Sequence, residues 1–357
     1  MKTRDTALRK TLARVAPGTE LRTGLERILR GRTGALIVLG FDRSVESLCS
    51  GGFDIDTEFT PTKLRELAKM DGAIVCDKDA TRILKAGVQL MPDASIPTLE
   101  SGTRHRSAER TARQTGVPVI SVSASMSVIT IYVDDYRYAI EGSQAIMARA
   151  NQALQTLEHY SNRLEQVLGS LSALEIEAAV TSRDVALALQ RMEMVRRISQ
   201  EISWYVLELG TDGRLISLQL EELTAGNGPG PDVVLRDYLP DPTEPEIVEE
   251  HLDALAQLSS AELIDLQRVA TAAGLVSAQG NMEMELHPHG YRLLEGIKSM
   301  PRAVAKRLVS QFDGLQSLMA ANLEDLMSVE GIGEQRARTV RESLSRMAET
   351  SLLDRFM

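Results

Sequence analysis

Three cationic or potentially cationic side chains stand together in Ser101-Gly102-Thr103-Arg104-His105-Arg106-Ser107, where a glycine-containing loop runs into a helical pattern. A helix start presents unpaired backbone N–H groups and a partial positive charge, which favours anions there. With Ser101 or Thr103 as cap and Arg104 and Arg106 alongside, the stretch is suited to grip a polyanion such as a triphosphate. Taken alone it reads more simply as a solvated basic turn, because short motifs recur by chance. About thirty residues upstream, Met70-Asp71-Gly72-Ala73-Ile74-Val75 sets an acid and a glycine at the head of an apolar strand. Asp71 there either satisfies a turn or supplies the carboxylate that phosphoryl transfer needs as metal ligand, base or both. Such chemistry is mostly positioning and charge neutralisation, so few groups suffice. The Asp-Gly-Ala and Gly-Thr-Arg-His-Arg elements together are far rarer than either part.

The surrounding pattern predicts a layered α/β domain ending near residue 145. Residues 5 to 31 read as two short helices parted by Pro17-Gly18. Ala35-Leu36-Ile37-Val38-Leu39 is a buried strand by its continuous apolar run between glycines. Thr60-Pro61 opens a helix through Leu64, Leu67 and Met70, with proline in the first turn. Strands then follow at Ala73 to Cys76, Ile83 to Leu90, Val117 to Val122 and Val128 to Val133, with a helix from Thr103 to Gln114 among them. Pro92 and Pro97 keep the preceding loop irregular, which suits a loop that closes over a ligand.

From Ala150 the apolar residues recur at Ala153, Leu157, Tyr160, Leu164, Val167, Leu171 and Leu174, the alternation of a bundle or coiled-coil seam. Gly169 and the capping-box pattern Ser172-x-x-Glu175 predict a break into two helices. A further helix begins at Thr181-x-x-Asp184 and stops before Gly210. This helical spine shows no convergent acid, base or ligand pattern, so its predicted work is spacing and oligomer geometry. Gly226 to Pro231 reads as a flexible connection, and residues 240 to 265 as an acidic, solvated helix face.

The final stretch repeats itself: Leu294-Glu295-Gly296-Ile297-Lys298-Ser299-Met300-Pro301, then Val329-Glu330-Gly331-Ile332-Gly333-Glu334, each before a helix. Gly331 and Gly333 would let the backbone approach a DNA phosphate. Arg336, Arg338 and Arg341 lie just beyond, and Arg302, Lys306 and Arg307 hold comparable places in the first half. From His287 onward there are ten Lys and Arg against nine Asp and Glu, whereas the rest of the chain carries −11 of the net −10. That acidity argues against nonspecific coating of nucleic acid and leaves room for one local binding face; net positive charge is confined to this tail, where the Gly-Ile-Gly turn and its flanking arginines point to DNA. Packing alone would be the plainer use of such paired hairpins. Gly296-Ile297-Lys298-Ser299 is no P-loop, Asp77-Lys78-Asp79 reads as a turn, and His287-Pro288-His289 has no third ligand nearby.

At 357 residues the chain exceeds one ordinary domain. Its two cysteines, Cys49 and Cys76, read as core thiols of a protein in a reducing compartment. No segment approaches the ~18 uninterrupted apolar residues of a membrane span, so a cytoplasmic protein without membrane contact is expected.

The Asp-Gly-Ala and Gly-Thr-Arg-His-Arg elements, with the Gly-Ile-Gly hairpin at the end, resemble the DNA-integrity-scanning (DisA) type of diadenylate cyclase across nearly the whole chain. The resemblance implies a fold: an α/β nucleotide-binding cyclase domain at 1–145, an all-α spine at 146–285, and a tandem helix-hairpin-helix domain at 286–357. It implies that two ATP are joined into cyclic di-AMP with release of two pyrophosphates, aided by Mg²⁺ or Mn²⁺, with Asp71 as catalytic and metal-binding residue. Gly72 would admit the nucleotide, Leu90 would pack on adenine, and Thr103, Arg104, His105, Arg106 and Ser107 would hold phosphates. Ser123 joins this ATP site. Where many relatives carry a basic pair after that serine, this chain reads Ser123-Ala124-Ser125-Met126-Ser127, a departure that bears on the phosphate contacts of this loop and not on the reaction class. The resemblance also implies an octamer and binding to branched DNA junctions, with possible nucleoid association. Two other functions fit the residues: a noncatalytic ATP-sensing DNA-junction scaffold, and an adenylyltransferase with another acceptor.

Overall fold

The computed structural model describes residues 2–226, 228–239, 245–297 and 300–354. Asn227 of the expected connection, residues 240–244 of the acidic stretch, and Lys298-Ser299 lie outside the described residues. The chain divides into two compact units, residues 1–152 with 202–218, and residues 153–201 with 219–357.

The first unit is built on an eight-stranded sheet. In chain order its elements are α1 (Lys2–Val15), α2 (Glu20–Arg30), β1 (Ala35–Leu39), α3 (Arg43–Leu48), β2 (Cys49–Ser50), β3 (Phe53–Glu58), α4 (Pro61–Leu67), β4 (Ala73–Cys76), β5 (Arg82–Leu90), α5 (Thr103–Thr115), β6 (Val119–Ser123), β7 (Val128–Val133) and β8 (Tyr136–Ile140). The strand order is β2-β5-β4-β1-β6-β7-β8, with β3 also pairing β5. β1 and β4 run parallel and the remaining pairs are antiparallel.

β1 is buried along its whole length because both faces of the sheet are covered. Ile37 and Leu39 point to a cluster with Leu25, Ile28, Leu64 and Ile131, while Leu36 and Val38 point to another with Val75, Ala108, Ala112 and Tyr132. Strand periodicity thus sends alternate residues of one run into two cores. α4 starts as its sequence requires: the Thr60 side chain accepts from the Lys63 amide, and Pro61 follows. Cys76 is buried on β4, where burial pushes its thiol up to about 12.

α3, β2, β3 and β8 were not predicted. β3 reads Phe-Asp-Ile-Asp-Thr-Glu and is mostly exposed, and β8 borders the sheet beyond β7. Edge strands carry polar residues that weaken the apolar signal by which strands are read.

The helices continue as α6 (Ser143–Glu177), α7 (Ser182–Leu209) and α8 (Arg214–Ala225), then α9 (Pro231–Tyr238), α10 (Pro245–Gln257) and α11 (Leu266–Ala272). The predicted seam is found: Ala150, Leu157, Leu164, Val167 and Leu171 are buried. The predicted break is not, since α6 runs 35 residues through Gly169. Ser172 does not cap. Its hydroxyl bonds back to the Leu168 carbonyl at 2.9 Å, and Glu175 is recruited elsewhere. One mid-helix glycine costs only about 1 kcal/mol, which the packed seam offsets.

The tail consists of α12 (Tyr291–Glu295), α13 (Arg302–Gln311), α14 (Leu315–Ala320), α15 (Leu323–Met327) and α16 (Glu334–Asp354) around its own apolar cluster. It shares the second unit with most of the spine through a buried polar knot. Glu175, fully buried on α6, pairs with Arg292 of α12 and accepts the Tyr238 hydroxyl at 2.5 Å. Asp237 accepts the amides of Gly290, Tyr291 and Arg292 at 2.6–2.7 Å, capping α12. Among the described residues no helix is long and apolar enough to cross a membrane.

Candidate functional site

A cleft of about 600 Å³ opens at one end of the sheet. Its walls come from the start of β4 (Gly72), the end of β5 (Leu90), the start of α5 (Thr103, Arg104, His105, Ser107) and the end of β6 (Ser123). Seven of the sequence-predicted site residues therefore meet in one cavity, though 51 positions separate the first, Gly72, from the last, Ser123.

Gly72 owes its identity to the protein's own backbone. Its φ is +108°, and a Cβ there would lie 2.6–2.9 Å from the backbone of Gly87 and Val88. The β4–β5 pairing shifts register between Ala73 and Val75. A side chain at 72 would push β5 out of place, so the glycine shapes the cleft wall as well as keeping it open.

α5 begins without the predicted cap. Gly102 is the N-cap and no side chain bonds the first turn, so Ser101 and Thr103 do not spend their hydroxyls on the helix. The first-turn N–H groups stay available to an anion. Thr103, Arg104, His105 and Ser107 line the cleft, whereas Arg106 is exposed outside the cavity lining. The Arg104 guanidinium lies over Gly34, where a Cβ would come within 2.0 Å of it.

Asp71 is exposed beside Gly72 and outside the lining, and no three His, Cys, Asp or Glu side chains cluster as a metal cage among the described residues. The donor set nevertheless fits a hard divalent ion, because Mg²⁺ typically uses one or two carboxylates together with substrate phosphates and water.

The loop after β6 reads as a tight turn with Ser127 at φ +53°. Ser123 Oγ lies 3.4 Å from Ser125 Oγ and from the Met126 amide, and all three residues line the cleft. This loop, Ser123 to Ser127, offers hydroxyls and a thioether and no charged side chain. Sequence reading missed Glu100, which also lines the cleft, and Tyr132, whose hydroxyl lies between Glu100 and His105. One signal was present: a tyrosine inside the apolar run Val128 to Val133 must find a buried partner for its hydroxyl.

In the tail, Gly331 has φ +86°, and a Cβ there would meet the Arg307 guanidinium at 2.7 Å. Arg336 Nη1 donates to the Gly331 carbonyl at 2.7 Å. Arg338 pairs with Glu334 and Arg302 with Glu295. Lys306 and Arg341 are exposed and carry no ion pair among the described residues. Ile297 and Met300 of the first turn and Gly333 to Arg336 of the second border one depression of about 520 Å³, so the two halves present a common face.

Three family models match successive segments: the DisA bacterial checkpoint controller nucleotide-binding region over residues 22–136, its linker region over 140–282, and a helix-hairpin-helix motif over 292–353. Fold and matches define a class of protein: an α/β nucleotide-binding module joined by a helical linker to helix-hairpin-helix repeats. Over its full length the chain is 58% identical to the DNA integrity scanning protein DisA of Kineococcus radiotolerans, covering 99% of that protein. It is 58% identical to the DisA of Acidothermus cellulolyticus and 56% identical to that of Streptomyces coelicolor, over 99% of this chain and 96% and 95% of theirs. The chain belongs to the DisA family.

Proposed function

We propose that this protein is a diadenylate cyclase that condenses two ATP into cyclic di-AMP and binds DNA through its tail. One observation carries the reading: in a DisA-family chain, seven residues from separate segments converge on a single cleft with hydroxyls, a guanidinium and an uncapped helix start. In each of two equal steps a ribose 3′-oxygen bonds an α-phosphorus, the bond to pyrophosphate breaks, and the hydroxyl proton passes to the Asp71 carboxylate and on to solvent. Asp71 would hold a Mg²⁺ or Mn²⁺, which supplies charge neutralisation at the phosphates.

Within this reading Leu90 packs on the adenine, Gly72 admits it, and Thr103, Arg104, Ser107 and Ser123 hold the triphosphate. Arg106, outside the lining, acts at longer range or on the facing nucleotide. One cleft takes one ATP, yet the product holds two adenylates, so two protomers must oppose their clefts, within an octamer. The cyclase segment is 1–145, the spine 146–285 and the DNA-binding segment 286–357, in a cytoplasmic protein. On the tail, Gly331, Gly333, Arg302, Lys306, Arg307, Arg336, Arg338 and Arg341 contact phosphates of branched DNA.

Incubation with ATP and Mn²⁺ or Mg²⁺ followed by chromatography should give cyclic di-AMP and two pyrophosphates per product, with specific activity falling on dilution as protomers separate. ATP bound but unconverted would make the protein a sensor. Adenylate appearing on another acceptor, at a rate per protein independent of dilution, would make it a different transferase.

A further inference from the structure

Behind the cleft runs a line of hydrogen bonds that the proposed reaction leaves unused. The Tyr132 hydroxyl on β7, 1% exposed, lies 2.8 Å from His105 Nδ1 and 2.8 Å from Glu100 Oε1. Arg137 Nε on β8 donates to the same Glu100 oxygen at 2.5 Å. A loop, the first turn of α5 and two strands thus meet at one carboxylate.

Proton counting fixes the direction of the line. An ionised carboxylate only accepts, and a phenol has one proton to give. Burial alone would raise the Glu100 carboxyl, but the hydrogen bonds from Tyr132 and Arg137 outweigh it and hold it below its ordinary range. Tyr132 therefore gives its proton to Glu100, and its oxygen is left to accept. His105 Nδ1 must supply that bond. Burial first, then Arg137 and Arg104, hold the imidazole below its ordinary pKa, against the opposing pull of Glu100. The ring is neutral near pH 7 and its second nitrogen, Nε2, is bare. His105 is 7% exposed and lines the cleft, and Nε2 has no partner among the described residues.

We propose that Tyr132 and Glu100 are positioning residues that lock His105 as the Nδ1–H tautomer and present Nε2 to the cleft as an acceptor for an O–H or N–H of the bound nucleotide. A phosphate, which offers only acceptors, is the wrong partner for such a nitrogen. The motif's central residue then differs in kind from Arg104, reading a ribose hydroxyl or the adenine amine while the arginine holds charge. This extends the nucleotide-binding reading of the same cleft, and the tautomer lock is testable without any nucleotide.

The test is ¹⁵N NMR of the full chain labelled at histidine, with the His105 signals identified by their loss in His105→Gln. Wild-type protein should show His105 protonated at Nδ1 and bare at Nε2. In Tyr132→Phe the lock is gone and the ring should shift towards the Nε2–H form, while the other four of the five histidines keep their signals as a check on folding. Glu100→Ala, at a less buried position, should produce the same shift, because Tyr132 is then released to donate to Nδ1. An Nε2–H form in the wild type, or a tautomer indifferent to both variants, overturns the proposal.

ATP affinity supplies the second arm. Tyr132→Phe should weaken it about 5-fold, the scale of one lost hydrogen bond, with little further loss when His105→Ala is added. Additive losses would show that Tyr132 does not act through His105. Comparing ATP with 2′-deoxy-ATP, 3′-deoxy-ATP and a purine triphosphate lacking the 6-amino group identifies the donor, since the analogue lacking it should not respond to Tyr132→Phe; equal response by all three overturns the acceptor role. If wild-type protein binds no ATP at all, the cyclase reading falls and the tautomer spectra alone decide the lock.

Discussion

The two regions suited to phosphate differ in how their donors are kept. In the cleft they wait unspent: the first turn of α5 has no side-chain cap, and Thr103 and Ser107 face the cavity. In the tail several are already engaged, Arg336 on a carbonyl, Arg338 and Arg302 in ion pairs. A ligand entering the cleft finds a site largely formed, whereas DNA arriving at the hairpins must exchange internal partners for its phosphates. Preorganisation serves chemistry, where reorganisation during the step is costly. Exchange serves reversible, salt-sensitive attachment.

The sharpest break of this contrast is at Asp71. Asp71→Asn removes charge at nearly constant volume, and product formation should fall on the order of 10³-fold with unchanged circular dichroism. Retained turnover would take the carboxylate out of the mechanism.

The next effect lies in the tail's attachment. Glu175→Gln leaves Arg292 buried without its counter-charge, and denaturant unfolding of the full chain should show a loss of roughly 3–5 kcal/mol. For that reason truncation at residue 285 is a poor control for DNA regulation, since it strands Glu175 inside the second unit. Titrating a four-way junction into the cyclase assay is better done with Arg336→Ala/Arg338→Ala. A junction effect on synthesis that survives loss of DNA binding would separate the tail from regulation.

Smaller changes sharpen the comparison. Arg104→Ala should weaken ATP binding by roughly 1.5–3 kcal/mol, and Arg106→Ala by clearly less, because only Arg104 lines the cavity. Equal losses would mean that both reach the nucleotide. Arg336→Ala with Arg338→Ala should lower DNA affinity on all sequences alike and reduce the slope of log K against log salt by at most about 2. The full reduction would count against the internal partners as competitors.

A further effect is one of pH. Burial first, then Glu175, pushes Asp237 up to about 7 from its ordinary 3.8. Because the folded value is the higher one, its stabilisation is complete below about pH 3.8 and is lost as pH rises through about 7. Asp237→Asn should flatten that part of the stability profile of the full chain, and it should also cost a helix cap, since the amide nitrogen cannot accept from a backbone N–H. An unchanged slope would mean that Asp237 does not titrate there.

The parts legible in the sequence were those with an internal period. Val38 on β1 and Leu164 on α6 announce themselves because burial on both faces, or on one stripe, leaves a pattern. β3 and β8 did not, since an edge strand needs little apolar surface. The Gly169 break was a local rule overruled by distant partners: Arg292 lies 117 positions from Glu175, and no window along the chain reveals that pairing. The site was legible in its residue types and less so in its directions. Arg104 and Arg106 look equivalent as letters and separate only in the folded structure, where Arg104 alone lines the cavity. Gly72 looks like room for a ligand until Gly87 is seen against it. Glu100 and Tyr132 stood in plain view and escaped notice because their meaning lies in each other.

The buried state of Cys76 has a practical consequence. Cysteine reacts as the thiolate, and both native thiols are held back from that form, Cys76 at about 12 and Cys49 raised above its ordinary value by burial first. The natural chain is thus close to a silent background for thiol chemistry. A cysteine introduced at Leu99, fully exposed and adjacent to Glu100, should take a maleimide fluorophore ahead of either native thiol. That would place an optical reporter at the rim of the cleft without first stripping the protein of its own sulfur.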